Sequence, residues 1–175
     1  MAPVTRVMRL AVWLLAAASA SAQTRTDFSG RWTLAPEPAG TAAARTAPGM
    51  GSGWGPDISI AQDAKALTIE FATFARGDMQ PPTKLVYLLD GSQSRNTINS
   101  GRGPQEQLAT TAWDGGRLTI TTVRTFSEVP GGKPMRFETT QAIALESPST
   151  LVVETTHGAA LGGRPATSRA VYKKN

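Results

Sequence analysis

The sequence predicts an all-β protein, an antiparallel up-and-down barrel of eight to ten strands that follows a cleaved signal peptide. Short runs rich in Thr, Val, Ile and Leu alternate with clusters of Gly, Pro, Asp and Ser, and no amphipathic run of helical period reaches about a dozen residues. The later runs are joined by tight turns, which force neighbouring strands to be antiparallel. A meander of that many strands has two edges to hide, and closing on itself hides both without a second layer. A flat sheet or two-sheet sandwich is the alternative.

The first 22 residues read as an export signal. Arg6 and Arg9 give a basic start, Leu10 to Ala18 is an apolar run of nine, and Ala20-Ser21-Ala22 supplies small residues for cleavage. Nine apolar residues are about half of the roughly 20 that cross a bilayer, so cleavage before Gln23 is expected rather than anchoring. Residues 23–175 then form one domain with no transmembrane segment, located in the periplasm or secreted. No twin arginine precedes the apolar run, which favours the general secretory route. The chain has no cysteine, so stability comes from packing and sheet closure without disulfides.

In order along the chain, strands are expected at 28–35, 57–62, 66–74, 84–90, 94–99, 106–113, 117–126, 135–145, 150–157 and 167–174, with 94–99 the least regular. Between the first two lies a long connection, 36–56, rich in Ala, Gly and Pro and carrying one tryptophan. Trp54, flanked by Gly53 and Gly55, reads as a plug over apolar surface in preference to a lid. Ile58 and Ile60 can face Leu67 and Ile69 across a turn at Asp63-Ala64. Trp113-Asp114-Gly115-Gly116-Arg117 is a strong hairpin signal, and the next two hairpins turn at Pro130-Gly131-Gly132 and Ser147-Pro148.

Alternation then sorts the faces. Leu118, Ile120, Thr122 and Arg124 share one side of their strand; Phe137, Thr139, Gln141, Ile143 and Leu145 share one side of the next, and Leu151, Val153 and Thr155 of the one after. The turns place Leu118, Ile143 and Val153 in an apolar layer, with Thr122, Thr139, Gln141, Thr155, Arg124 and His157 in a polar layer further along. Thr110 and Thr111 are left out, because a one-residue slip at the Gly115-Gly116 turn would swap their faces. Such an interior is either a cavity with an apolar end and a few hydrogen-bonding groups or a filled barrel whose polar groups pair with one another.

Several function classes are disfavoured. Removing Arg6 and Arg9 takes two of the 18 basic residues against 13 acidic ones and leaves a dispersed net charge of about +3, which offers no nucleic-acid footprint. His157 is the single histidine, so a His-rich zinc site is excluded, and no Asp-x-Asp spacing supports a carboxylate metal site. Ser52 lies in Gly51-Ser52-Gly53 rather than a nucleophile elbow, and Pro130-Gly131-Gly132-Lys133-Pro134 lacks the flanking residues of a phosphate loop. Neither an enzymatic role nor a cofactor is expected.

The segment Phe28-Ser29-Gly30-Arg31-Trp32-Thr33-Leu34 resembles the opening of calycins, both lipocalins with Gly-x-Trp and fatty-acid-binding proteins with Phe-x-Gly-x-Trp. Ser168-Arg169-Ala170-Val171-Tyr172-Lys173 resembles their closing strand. The chain is also similar to uncharacterised secreted bacterial proteins that open with Asp-Phe-Ser-Gly-x-Trp and share its Gln-Asp, Leu-Asp-Gly and Trp-Asp-Gly turns. The calycin resemblance implies a barrel in which Trp32 packs at the closed end with Arg169 against it. It does not extend to the Arg-x-Tyr pair that holds a carboxylate in fatty-acid-binding proteins, because Arg169 and Tyr172 fall on opposite faces of a regular strand.

Two classes remain. In one, a small, partly apolar ligand occupies the barrel interior, with Trp32 as a wall and Thr122, Arg124, Thr139, Gln141, Thr155 and Tyr172 as contacts. In the other, the protein is a non-catalytic interaction or structural module of the periplasm or cell envelope.

Overall fold

The computed structural model describes residues 25–36, 52–75, 78–100, 103–126, 132, 134–158 and 165–175. The expected signal segment 1–22 and most of the 36–56 connection lie outside the described residues. Ten strands follow in chain order: β1 (Gly30–Leu34), β2 (Asp57–Gln62), β3 (Ala66–Ala75), β4 (Asp78–Leu88), β5 (Ser94–Ser100), β6 (Gly103–Asp114), β7 (Arg117–Phe126), β8 (Met135–Ser147), β9 (Thr150–His157) and β10 (Ala166–Lys174). They form one antiparallel sheet in the order β4-β3-β2-β1-β10-β9-β8-β7-β6-β5. Each strand therefore lies beside its neighbours in sequence, and β1 pairs with β10 through Trp32↔Lys174 and Leu34↔Tyr172. The result is an up-and-down barrel closed except for a seam between β4 and β5.

Short turns set the register. Asp114 pairs with Arg117 across Gly115-Gly116, with Gly115 at φ 56°, the left-handed conformation that such a two-residue turn requires. On the strands that follow, Leu118 pairs with Ile143 and Ile143 with Val153, which is the apolar layer expected from alternation. Thr111 shares the inward face of β6 with Ala109, and its hydroxyl donates to the Leu88 carbonyl at 2.6 Å.

Two strands depart from their expected limits. β4 begins at Asp78 rather than residue 84, because Pro81-Pro82 sits in a register shift where the β3 pairing passes from Phe71↔Thr83 to Thr73↔Gln80. A proline at such an irregularity interrupts no ladder bond. β5, the least strand-like in sequence, forms a full ladder with β6 from Ser94↔Ala109 to Ser100↔Gly103. Its polar residues have a structural use at the seam. Asn96 and Ser94 supply side-chain bonds to the β4 backbone at Val86 and Leu88, on the edge of β4 turned away from β3, where no ladder forms with β5.

The end of the barrel that carries the short turns is closed by aromatic packing. Phe28 stacks on Trp113 with ring centres 5.9 Å apart, and the Trp32 indole nitrogen donates to the Phe28 carbonyl at 3.0 Å. Gln62 ties the approach to β1 in place: its side chain accepts from the Phe28 amide and donates to the Thr26 carbonyl. The cation over the Trp32 ring is Lys174, 5.2 Å from its centre. Arg169, which the calycin resemblance places there, instead faces outward and pairs with Glu146. The cause is strand parity: Tyr172, three residues on, is fully buried, so Arg169 points the other way.

Candidate functional site

Residues 52–56 sit in the other end of the barrel. Gly53 and Gly55 adopt φ of 78° and 85°, and these two left-handed residues fold the chain back on either side of Trp54. Ser52 and Trp54 are both buried. The Gln141 side chain of β8 donates to the Ser52 carbonyl, and the Ser52 and Tyr172 hydroxyls share a hydrogen bond. The Tyr172 hydroxyl also lies 2.8 Å from the Gly55 carbonyl. On the opposite wall, Trp54 makes a side-chain hydrogen bond to Tyr87 of β4, to which the indole N–H is the only donor it can bring. The tryptophan is thus a plug, as its glycine-flanked sequence suggests. It is inserted among the strands rather than laid over them.

The plug leaves part of the interior open. A cavity of about 230 Å³ lies beside it, with Trp54, Phe71, Leu85 and Ile98 as an apolar wall. Gln107, Thr122, Arg124, Thr139, Gln141 and His157 form the facing polar wall. A second space of about 330 Å³ lies between Gln105, Phe137, Glu138 and the same Arg124, Thr139 and His157. Those three shared residues stand where the inner chamber meets an outer vestibule.

The polar wall is unevenly satisfied. The Thr139 hydroxyl and His157 Nδ1 are 3.4 Å apart. The buried hydroxyl of Thr122 has no hydrogen-bond partner among the described residues, and neither does that of Thr155. Arg124 is half-buried on the inward face of β7. Among the described residues it forms no ion pair, whereas the outward-facing Arg95, Arg117, Arg136 and Arg169 each hold a glutamate. Burial raises the pKa of the Tyr87 phenol well above its ordinary value, against smaller lowering effects from the Trp54 hydrogen bond and the nearby Arg124. Burial likewise raises that of Tyr172, opposed by its bond to Ser52.

The residues singled out from sequence therefore divide. Thr122, Arg124, Thr139 and Gln141 meet on one cavity. Trp32, Thr155 and Tyr172 lie in the packed part of the interior: Trp32 belongs to the closed end, Thr155 packs beside Gln141 in the ladder, and Tyr172 holds the plug. Sequence reasoning did not place Tyr87, Gln107 or Ser52 at the site. The Gly-Ser-Gly-Trp-Gly run was the available signal for Ser52, and the alternation of Leu85, Tyr87 and Leu89 in the expected 84–90 strand was the available signal for Tyr87; Gln107 was hidden by the uncertain register of β6. No metal-binding group of three or more His, Cys, Asp or Glu occurs among the described residues. Among the described residues no helix is long and apolar enough to cross a membrane. Comparison with protein-family models and with curated protein sequences found no match for this chain.

Proposed function

We propose that this is an exported, non-catalytic binding protein that holds a small, partly apolar molecule in the open part of its barrel. The observation that carries the reading is the two-sided chamber, with Trp54, Phe71, Leu85 and Ile98 facing Thr122, Arg124 and Thr139 across about 230 Å³. Apolar walls with a few converging polar groups are the usual composition of a small-molecule site. An unpartnered buried hydroxyl at Thr122 supports the same reading, because leaving it dry costs about 1–3 kcal/mol unless a ligand satisfies it. The basic start and Ala-Ser-Ala site support export, and the Gly-x-Trp opening and barrel topology support kinship with calycins.

The test is native mass spectrometry of protein purified from its own host. A bound molecule of a few hundred daltons or less is expected, lost when the protein is unfolded. Protein that is uniformly empty, together with interior substitutions that affect only stability, would favour a structural or interaction module instead.

A further inference from the structure

We infer that the ligand is a compact monoanion, a carboxylate carried on a body about the size of one aromatic ring, bound with its carboxylate beside Arg124. This rests on the binding reading above and adds charge and size to it.

The charge follows from contrast. Four outward arginines already hold a glutamate each, and Glu138, the one carboxylate among the described residues at the vestibule, is itself engaged by Arg136 at 3.4 Å. Arg124 faces the chamber with no carboxylate among the described residues. A guanidinium withdrawn from water gains most from a planar oxyanion that meets its fork with two parallel hydrogen bonds. Around it stand groups that can complete the shell: the free hydroxyl of Thr122, the hydroxyl of Thr139 and the Gln107 amide, all on the same wall. Among the described residues Arg124 is the only Lys or Arg on that lining, which matches one negative charge. A doubly charged phosphate would be left half-compensated in a partly desolvated site.

The size follows from the plug. About 230 Å³ is below the roughly 300–1,000 Å³ of most ligand pockets. Trp54 and Ser52, fastened to Tyr87, Gln141 and Tyr172, fill the space into which a long chain would extend. A long acyl chain would have to expel them or run out past Arg124 into the vestibule, where it would meet the polar side chains of Gln105, Glu138 and His157. A single ring fits between Phe71, Leu85 and Ile98 and the polar wall, with its carboxylate turned toward β7.

Calorimetric titration of the purified protein tests both parts, with benzoate, phenylacetate and 3-phenylpropionate set against their primary amides and against palmitate. At least one acid should bind about tenfold or more tighter than its amide, and palmitate should not bind. Arg124→Gln should erase the acid-over-amide preference, and Arg124→Lys should retain part of it. Acid and amide binding equally would overturn the anion while leaving the chamber as a binding site. Tight palmitate binding to the wild type, or a neutral molecule recovered from the host protein, would overturn the inference as well. Silence from every probe and an empty host protein would remove the binding reading on which it rests.

Discussion

The side chain of Asn96 pairs with both backbone polar groups of Val86, accepting from its amide at 2.7 Å and donating to its carbonyl at 2.9 Å. An asparagine amide here does the work of a peptide in a neighbouring strand. Ser94 extends the substitution by accepting from the Leu88 amide at 2.8 Å, so the seam between β4 and β5 is sewn by side chains where the ladder stops. Asn96→Ala should therefore cost about 1–3 kcal/mol, because it strands a donor and an acceptor together. Urea unfolding gives the loss, and hydrogen exchange should show the Val86 amide deprotected more than amides in the β7–β8 ladder. Equal protection of the two would mean that the seam is closed by something other than Asn96.

Trp54 is fixed by the interior rather than by its own loop. Trp54→Ala should lower stability by about 3–5 kcal/mol, the range for removing a large buried aromatic side chain. Its glycines test the backbone separately. A Cβ at Gly53 or Gly55 would meet nothing within 4 Å, so the cost of Ala at either position comes from the left-handed φ alone. Each should cost about 1–2 kcal/mol. A neutral result at both would show that the segment leaves the barrel in solution.

Much of the barrel was legible because its information is local. The Asp114-Gly115-Gly116-Arg117 turn fixes which residues of β6 and β7 are opposite, and period-two alternation carries that register through Ile143 to Val153. Four residues of the chamber wall, Thr122, Arg124, Thr139 and Gln141, could be placed on a common face in this way. What escaped depends on distant parts of the chain. The Ser52–Tyr172 bond joins residues 120 apart, and the Gln141–Ser52 bond joins residues 89 apart. Neither has a periodic signature. The start of β4 was missed for a different reason: Pro81-Pro82 reads as a break by local rules and is tolerated only because it coincides with a register shift.

The buried tyrosines predict an alkaline limit to stability. In the unfolded chain a tyrosine ionises near about pH 10, whereas burial holds the Tyr87 phenol neutral well beyond that. The folded state then retains a proton that the unfolded state has lost, so stability is fully present below the unfolded value and falls as pH rises above it. The slope approaches about 1.4 kcal/mol per pH unit for one such group. Tyr87→Phe should flatten part of this decline. Unfolding curves from pH 8 to 11 for both proteins check it, and parallel curves would show that the phenol reaches water before the barrel opens.

The two unpartnered threonines separate binding from stability. Thr122 and Thr155 both bury a hydroxyl with no partner among the described residues, but only Thr122 faces the chamber. Valine has nearly the same shape and favours a strand at least as well. Replacing an unsatisfied buried hydroxyl by a methyl removes a desolvation penalty of about 1–3 kcal/mol without opening a hole. Both Thr122→Val and Thr155→Val should therefore be neutral or stabilising in urea unfolding. Their effects on ligand should differ: Thr122→Val should weaken binding of an aromatic carboxylate, while Thr155→Val should leave it unchanged. If Thr122→Val destabilises the fold as a lost hydrogen bond would, the hydroxyl serves the barrel itself, and its role as a contact in the chamber falls.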